Sequence, residues 1–87
     1  MLAVIKMNKK ELELAINFAT SNKQDLIKSD KAGCYYCRKI YPASEVKEFI
    51  EGENTALCPK CGIDSVLPDS VYDLSIEKLR ELHQFWF

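Results

Sequence analysis

The sequence predicts a small α+β domain organised around a cluster of cysteines. Three observations predict it: two C-x2-C pairs, a polar turn between short apolar runs that separate those pairs, and an amphipathic segment at each end. The 87 residues leave room for a single domain, 1–87, whose modest core gains from a cross-link. We expect an N-terminal helical segment over 1–32, metal-binding knuckles (tight cysteine turns) and a hairpin over 33–67, and a C-terminal helix over 68–87.

The N-terminal segment is predicted to be helical. Asn8 and Glu11 fit an N-cap and its capping-box partner, because each side chain can accept a hydrogen bond from the other residue's backbone N–H. The polar cluster at 20–22 is expected to end this helix, and a second short helical turn is expected at 26–27. The residues with the i, i+3, i+4, i+7 spacing of one apolar helix face are Leu12, Ala15, Ile16 and Ala19.

Between the two cysteine pairs the sequence predicts a β-hairpin. Residues 46–50 fit a short strand or helical turn, 51–54 a polar turn, and 55–57 the returning strand. This hairpin would deliver the second cysteine pair opposite the first. Directly after that pair, Gly62 allows the positive φ that a tight cysteine turn needs.

The end of the chain is predicted to be helical. Residues 63–67 are expected to form a brief helix that stops at Pro68, and Ser75 fits the N-cap of the C-terminal helix. Leu74 can pack onto Leu79 as a hydrophobic staple. The apolar face of the C-terminal helix consists of Ile76, Leu79, Leu82, His83 and Trp86.

The cysteine pattern C-x2-C-x20-C-x2-C has the spacing of a four-cysteine zinc site. Two thiolates three residues apart can chelate one ion from a single turn, and zinc accepts four sulfurs at about 2.3 Å. Since four protein ligands leave no open coordination position, the Zn2+ is expected to be structural. The candidate metal ligands are Cys34, Cys37, Cys58 and Cys61.

Three other uses of the cysteines fit the sequence less well. Two disulfides would require export, but no secretory segment is visible, and we expect a cytoplasmic protein. Redox chemistry needs one exposed pair of low pKa rather than two matched pairs. The third is a rubredoxin-like iron electron carrier: the second pair with Gly62 resembles a rubredoxin knuckle, but Arg38 stands where such knuckles usually have Gly.

Two zinc-finger folds suit this site. In a treble clef the second pair comes from a helix start, which Pro59 at the first helical position favours. In a zinc ribbon both pairs lie on knuckles, which Gly62 favours. We prefer the treble clef and keep the zinc ribbon as the alternative.

No catalytic constellation is visible, so we expect no enzyme activity. Treble-clef nucleases of the HNH type need a general-base His on the hairpin, but the one His of the chain, His83, lies in the C-terminal helix. On the apolar face of that helix it is more often a packed, hydrogen-bonded side chain than a ligand.

The expected partner is another protein of unknown identity, and no membrane partner is expected. The candidate partner-binding residues are Tyr35, Tyr36, Phe85, Trp86 and Phe87, although the last three also fit a hydrophobic latch that docks the helix. Nucleic acid is the alternative partner. A net charge of -1 and a pI near 5.8 count against it. The cations that would serve it are Lys9, Lys10, Lys23, Lys28, Lys31, Arg38 and Lys39.

Four runs of the sequence together resemble a family of small, uncharacterised bacterial cytoplasmic proteins. The runs are Gly33-Cys34-Tyr35-Tyr36-Cys37, Pro42-Ala43-Ser44-Glu45-Val46, the stretch from Thr55 to Val66 that reads TALCPKCGIDSV, and Leu82-His83-Gln84-Phe85-Trp86-Phe87. Family members read approximately GCFYC, PSEI-x-E-W-I, TALCPYCGIDSVI and MH-x-YWF at these places, so this chain has Leu82 in place of Met and Phe85 in place of Tyr. The resemblance implies a zinc-binding domain with four cysteine ligands and no established activity.

Overall fold

The computed structural model describes residues 7–87, in which short helices and strands alternate. The helices are α1 (Lys9–Leu14), α2 (Lys23–Ile27) and α3 (Ile76–Trp86), with 3-10 turns at Ala15–Phe18 and Ala43–Glu45. The strands are β1 (Lys31–Cys34), β2 (Lys39–Pro42), β3 (Phe49–Ile50), β4 (Thr55–Ala56) and β5 (Val66–Pro68). The first six residues of the predicted helical segment, including the apolar run 2–5, lie outside the described residues.

Both predicted helix caps are confirmed. The Asn8 side chain accepts a hydrogen bond from the backbone N–H of Glu11 (2.9 Å), and the Glu11 carboxylate accepts one from the N–H of Asn8 (3.2 Å). Ser75 Oγ accepts from the N–H of Lys78 (3.1 Å) and caps α3 in the same way. These bonds satisfy N–H groups that the first helical turn leaves without an intrahelical partner.

The largest sheet has three antiparallel strands in the order β2-β1-β5. The predicted helix over 63–67 is wrong, because residues 66–68 form β5, in which Val66 pairs with Cys34 and Leu67 with Gly33. A short apolar run before a proline fits a buried strand as well as a helical turn. Pairing with β1 decides between them.

The predicted hairpin is confirmed as the β3–β4 pair, in which Phe49 lies opposite Ala56 and Ile50 opposite Thr55. Its turn contains two residues with positive φ, Gly52 at 83° and Asn54 at 56°. Glycine and asparagine tolerate that region best, which explains their places in this turn.

The three-stranded sheet separates two cores. In β1, Ala32 and Cys34 face one core, whereas Gly33 and the following Tyr35 face the other, as the two-residue period of a strand requires. The metal-side core contains Leu26, Ala32, Cys34, Tyr41, Ala43, Val46, Ala56, Cys58 and Val66. The helix-side core contains Ala15, Ala19, Tyr35, Leu67, Leu79 and Leu82.

Gly33 lies against the side chains of Leu74 and Leu79, at and before the start of α3. A Cβ atom at Gly33 would lie 3.2 Å from side-chain carbons of both Leu74 and Leu79. Glycine therefore lets the two leucines pack directly on the strand. Leu79 belongs to the helix-side core and Leu74 packs against it, on the face of the sheet opposite the cysteines.

Asn22 ties the two sheets together. Its side chain is 1% exposed, and its Nδ2 donates to the carbonyls of Val66 (2.8 Å) and Phe18 (3.1 Å). Its Oδ1 accepts from the backbone N–H of Ala56 (3.0 Å). One amide thus joins β5, β4 and the end of the N-terminal helical segment.

Replacing Asn22 with Ala should lower the free energy of unfolding by about 2–3 kcal/mol, because it leaves buried backbone groups of Val66 and Ala56 without their partner. Chemical denaturation of the metal-loaded protein measures this loss. Asn17→Ala, at an exposed position of the preceding 3-10 turn, is the matched control and should change stability by less than about 0.5 kcal/mol. Equal losses in the two variants would contradict the structural role of Asn22.

Candidate metal centre

Two hydrogen-bonded turns of the same design carry the cysteines. In the first knuckle, the N–H of Arg38 donates to the carbonyl of Cys34 (2.7 Å), and Arg38 has φ 63°. In the second, the N–H of Gly62 donates to the carbonyl of Cys58 (2.9 Å), and Gly62 has φ 82°. Each turn folds back through positive φ directly after its second cysteine, as was expected of Gly62.

The second pair does not begin a helix. Residues 59–61 form a turn, and the N–H of Cys58 donates to the carbonyl of Ile63 (2.9 Å) rather than lying free at a helix start. The expectation that Pro59 occupies a first helical position is therefore wrong. The chain turns back at Gly62 and continues towards β5, so residues 59–61 do not begin a helix.

The structure brings the four predicted cysteines together. All four Sγ atoms lie within 4.8 Å of one another, and two separations, Cys34–Cys61 and Cys37–Cys58, are 3.7 Å. Sulfurs bound at about 2.3 Å to one tetrahedral ion lie about 3.8 Å apart. A disulfide would require about 2.05 Å, and all four cysteines are free. The donor set and its spacing therefore fit a tetrahedral metal ion such as zinc.

Cys58 receives hydrogen bonds from two directions. Tyr41 Oη donates to Cys58 Sγ at 3.2 Å, and the backbone N–H of Lys60 donates to the same sulfur at 3.3 Å. Tyr41 is 4% exposed in the metal-side core, so this bond lies away from water. Donors to a metal-bound sulfur orient the ligand and spread its negative charge.

Burial raises the pKa of a cysteine thiol, whereas hydrogen bonds donated to its sulfur lower the pKa. Burial raises the pKa of Cys34 and of Cys37 above the ordinary value. Burial also disfavours the Cys58 thiolate, but the hydrogen bonds from Tyr41 and from backbone N–H groups outweigh it and lower the pKa of Cys58 to about 7. Without a metal, Cys34 and Cys37 therefore hold their protons at neutral pH.

The aromatic residues next to the first knuckle contact the C-terminal end of α3. Tyr35 is 4% exposed and Tyr36 is 40% exposed, so only one of them faces inward. The ring of Phe87 lies 5.9 Å from that of Tyr35 and 4.8 Å from that of Tyr36, between ring centroids. Trp86 Nε1 donates to the carbonyl of Leu12 (3.0 Å), which joins α3 to α1. These contacts join the end of the chain to the first knuckle and to α1, while Phe85, Trp86 and Phe87 stay partly exposed.

His83 is packed and hydrogen-bonded. Its Nδ1 lies 3.2 Å from the carbonyl of Tyr35, and its ring lies 5.9 Å from that of Tyr36 and 5.6 Å from that of Phe87. Among the described residues, the four cysteines are the one group of His, Cys, Asp or Glu side chains whose spacing could hold a metal ion. His83 therefore connects α3 to the knuckle and does not belong to the site.

Sequence reasoning missed Tyr41 as part of the centre. The signal that could have found it is strand alternation, because Tyr41 faces the metal side of β2 while Ile40 packs on the other core.

Replacing Tyr41 with Phe should weaken zinc binding about tenfold, because the Cys58 sulfur loses a buried hydrogen-bond donor while the ring remains. Competition with a chromogenic chelator measures the affinity. Tyr36→Phe removes a hydroxyl from an exposed ring of the first knuckle and should leave the affinity within about twofold. An unchanged affinity in Tyr41→Phe would show that the hydroxyl does not support the site.

Zinc binding at pH 7 should release at least two protons per ion, one from Cys34 and one from Cys37, because the pKa of each thiol is raised and the ligand must be a thiolate. The zinc affinity should consequently rise with pH and fall on acidification. A pH indicator in weakly buffered solution counts the protons as zinc is added to the reduced, metal-free protein. Release of less than one proton would be inconsistent with thiol ligands of raised pKa.

In the part of the chain that the structure describes, no helix has the length and apolar character needed to cross a membrane. Comparison with family models, curated proteins and solved structures finds no match to this chain. The geometry of the metal centre and of the surface beside it supports the proposed function.

Proposed function

We propose that this chain is a small domain in which a structural zinc ion, held by Cys34, Cys37, Cys58 and Cys61, fixes a surface that binds another protein. The observation that carries the proposal is the convergence of four sulfurs at the spacing of a tetrahedral site. Four protein ligands complete the coordination of zinc, so the ion would stabilise the fold rather than activate a substrate. We accordingly assign the domain no catalytic role.

We further propose a zinc-ribbon arrangement rather than the treble clef favoured by the sequence. Two features support it: the matched hydrogen bonds of Arg38 and Gly62, and the turn at 59–61. The same four sulfurs would also suit rubredoxin-like iron. We prefer zinc because it has no redox chemistry and no geometric preference of its own, so four thiolates at tetrahedral spacing are sufficient to bind it. Four reduced cysteines also suit a reducing compartment such as the cytoplasm.

The proposed binding surface is the aromatic patch, which comprises Tyr36, Phe85, Trp86 and Phe87. Phe87 is 58% exposed, although it contacts both tyrosines of the first knuckle, and Phe85 packs edge-on against Trp86 with 5.1 Å between ring centroids. Exposed aromatic side chains held in place by neighbours are typical anchors of protein interfaces, because little side-chain entropy is lost on binding.

Nucleic acid is the alternative partner, and the cations that would serve it are distributed over several elements. Lys9 and Lys10 lie in α1, Lys23 in α2, Lys31 in β1, and Arg38 in the first knuckle. Lys23 also lies over the ring of Phe49, at 5.2 Å from its centroid. Such a distribution supports a protein partner better than a phosphate backbone.

The double variant Phe85→Ala/Phe87→Ala should lose the bound partner, because it removes two anchors of the aromatic patch while leaving the cysteines in place. Affinity purification of the tagged full chain from its native host, followed by mass spectrometry, identifies what is retained. Zinc content and the thermal transition of the variant check that the fold persists.

Leu14→Ala is the matched control, since Leu14 is a 46%-exposed apolar residue of α1 outside the patch. A protein retained by the wild type and by this control, but not by the double variant, is the expected result. Equal retention by all three forms would contradict the proposal. Retention that nuclease or high salt abolishes would favour the nucleic-acid alternative.

A further inference from the structure

We propose that the four cysteines are also a site of oxidative modification by peroxides, in which they form two disulfides that each join one knuckle to the other: Cys34 to Cys61 and Cys37 to Cys58. The inference rests on the proposed metal site, since it concerns the same sulfurs. It adds a reaction and a specific pairing that a purely structural zinc site does not imply.

Two sulfur–sulfur contacts cross from one knuckle to the other. Cys34 and Cys61 have sulfurs 3.7 Å apart, as do Cys37 and Cys58, and each of these contacts crosses from one knuckle to the other. Each pair also combines one buried cysteine, Cys34 or Cys58, with one half-buried cysteine, Cys61 or Cys37. An oxidant arriving from solvent therefore meets one sulfur of each pair, and a buried cysteine of the opposite knuckle lies 3.7 Å from that sulfur.

The reaction balances for each pair with one peroxide. The Cys37 thiolate, which is the form in which this sulfur would bind a metal ion, attacks one oxygen of hydrogen peroxide, so that an S–O bond forms, the O–O bond breaks and hydroxide leaves to become water. The Cys58 thiolate then attacks the Cys37 sulfur, so that the S–S bond forms and the S–O bond breaks, with a second hydroxide leaving. Two protons are consumed and two electrons pass from sulfur to peroxide. Cys61 and Cys34 react in the same way.

The pairing decides what happens to the fold when the metal is lost. Disulfides within each C-x2-C turn would leave the two knuckles without a connection. The crossed disulfides instead close loops between residues 21 and 27 positions apart and keep β1 beside the second knuckle. The oxidised, metal-free protein should therefore stay folded, whereas the reduced protein stripped by a chelator loses its cross-link. Oxidation would therefore release the zinc ion while the protein stays folded.

The test treats the full-length protein, whose zinc content has first been measured, with small equivalents of hydrogen peroxide. A chromogenic chelator reports released zinc, and the disulfides are mapped by mass spectrometry under non-reducing conditions. Cleavage after Tyr35 or Tyr36 by chymotrypsin and after Lys60 by trypsin separates all four cysteines, so each pairing gives distinct linked peptides. Oxidation in concentrated guanidinium chloride is the control, because an unfolded chain favours pairs close in sequence.

The expected result is that the two crossed disulfides predominate in the native sample, with about two peroxides consumed per zinc released, and not in the unfolded control. The oxidised protein should keep a cooperative thermal transition that dithiothreitol together with a chelator abolishes. Disulfides mainly within the C-x2-C turns, sulfinic acid without disulfides, or no reaction would overturn the inference. A preparation without metal counts against the proposed zinc site instead, and the disulfide map of that sample still tests the pairing.

Discussion

The meeting of two cysteine turns at a single point is the constraint on which the rest of this structure depends. The first knuckle joins β1 to β2, and the second leads from the β3–β4 hairpin into β5. Neither β3 nor β4 exceeds two residues, and a lone two-stranded hairpin is marginal in water. A tetrahedral ion that binds sulfurs of both turns would hold this hairpin against the main sheet, and it would add stability where a chain of this size can bury little.

The main sheet connects the metal centre to the rest of the chain. Because alternate residues of a strand face opposite sides, Cys34 points towards the metal side while Gly33 and Tyr35 receive the helices. Asn22 adds a polar link by bonding the carbonyl of Val66 and the N–H of Ala56. The aromatic end of α3 packs on the tyrosines of the first knuckle. The position of the proposed binding surface is thus tied to the metal centre through direct contacts.

Features with a local signal were predictable from the sequence, and features that depend on distant pairing were not. The caps at Asn8 and Ser75, the hairpin and the cysteine set each follow from residues close together in the chain or from a known ligand spacing. The sequence predicts a helix where β5 forms, because the pairing of β5 with β1 cannot be read from three apolar residues. The bond from Tyr41 to Cys58 depends on strand register, which the sequence leaves open.

We propose that all four cysteines bind one zinc ion. X-ray absorption at the zinc edge of the purified full chain, combined with elemental analysis, measures the ligands and the stoichiometry of this ion. We expect one zinc per chain with four sulfur neighbours at about 2.3 Å and no nitrogen or oxygen neighbour. A mixed shell that includes nitrogen or oxygen, a stoichiometric content of iron in place of zinc, or a folded reduced protein that binds no metal would contradict it.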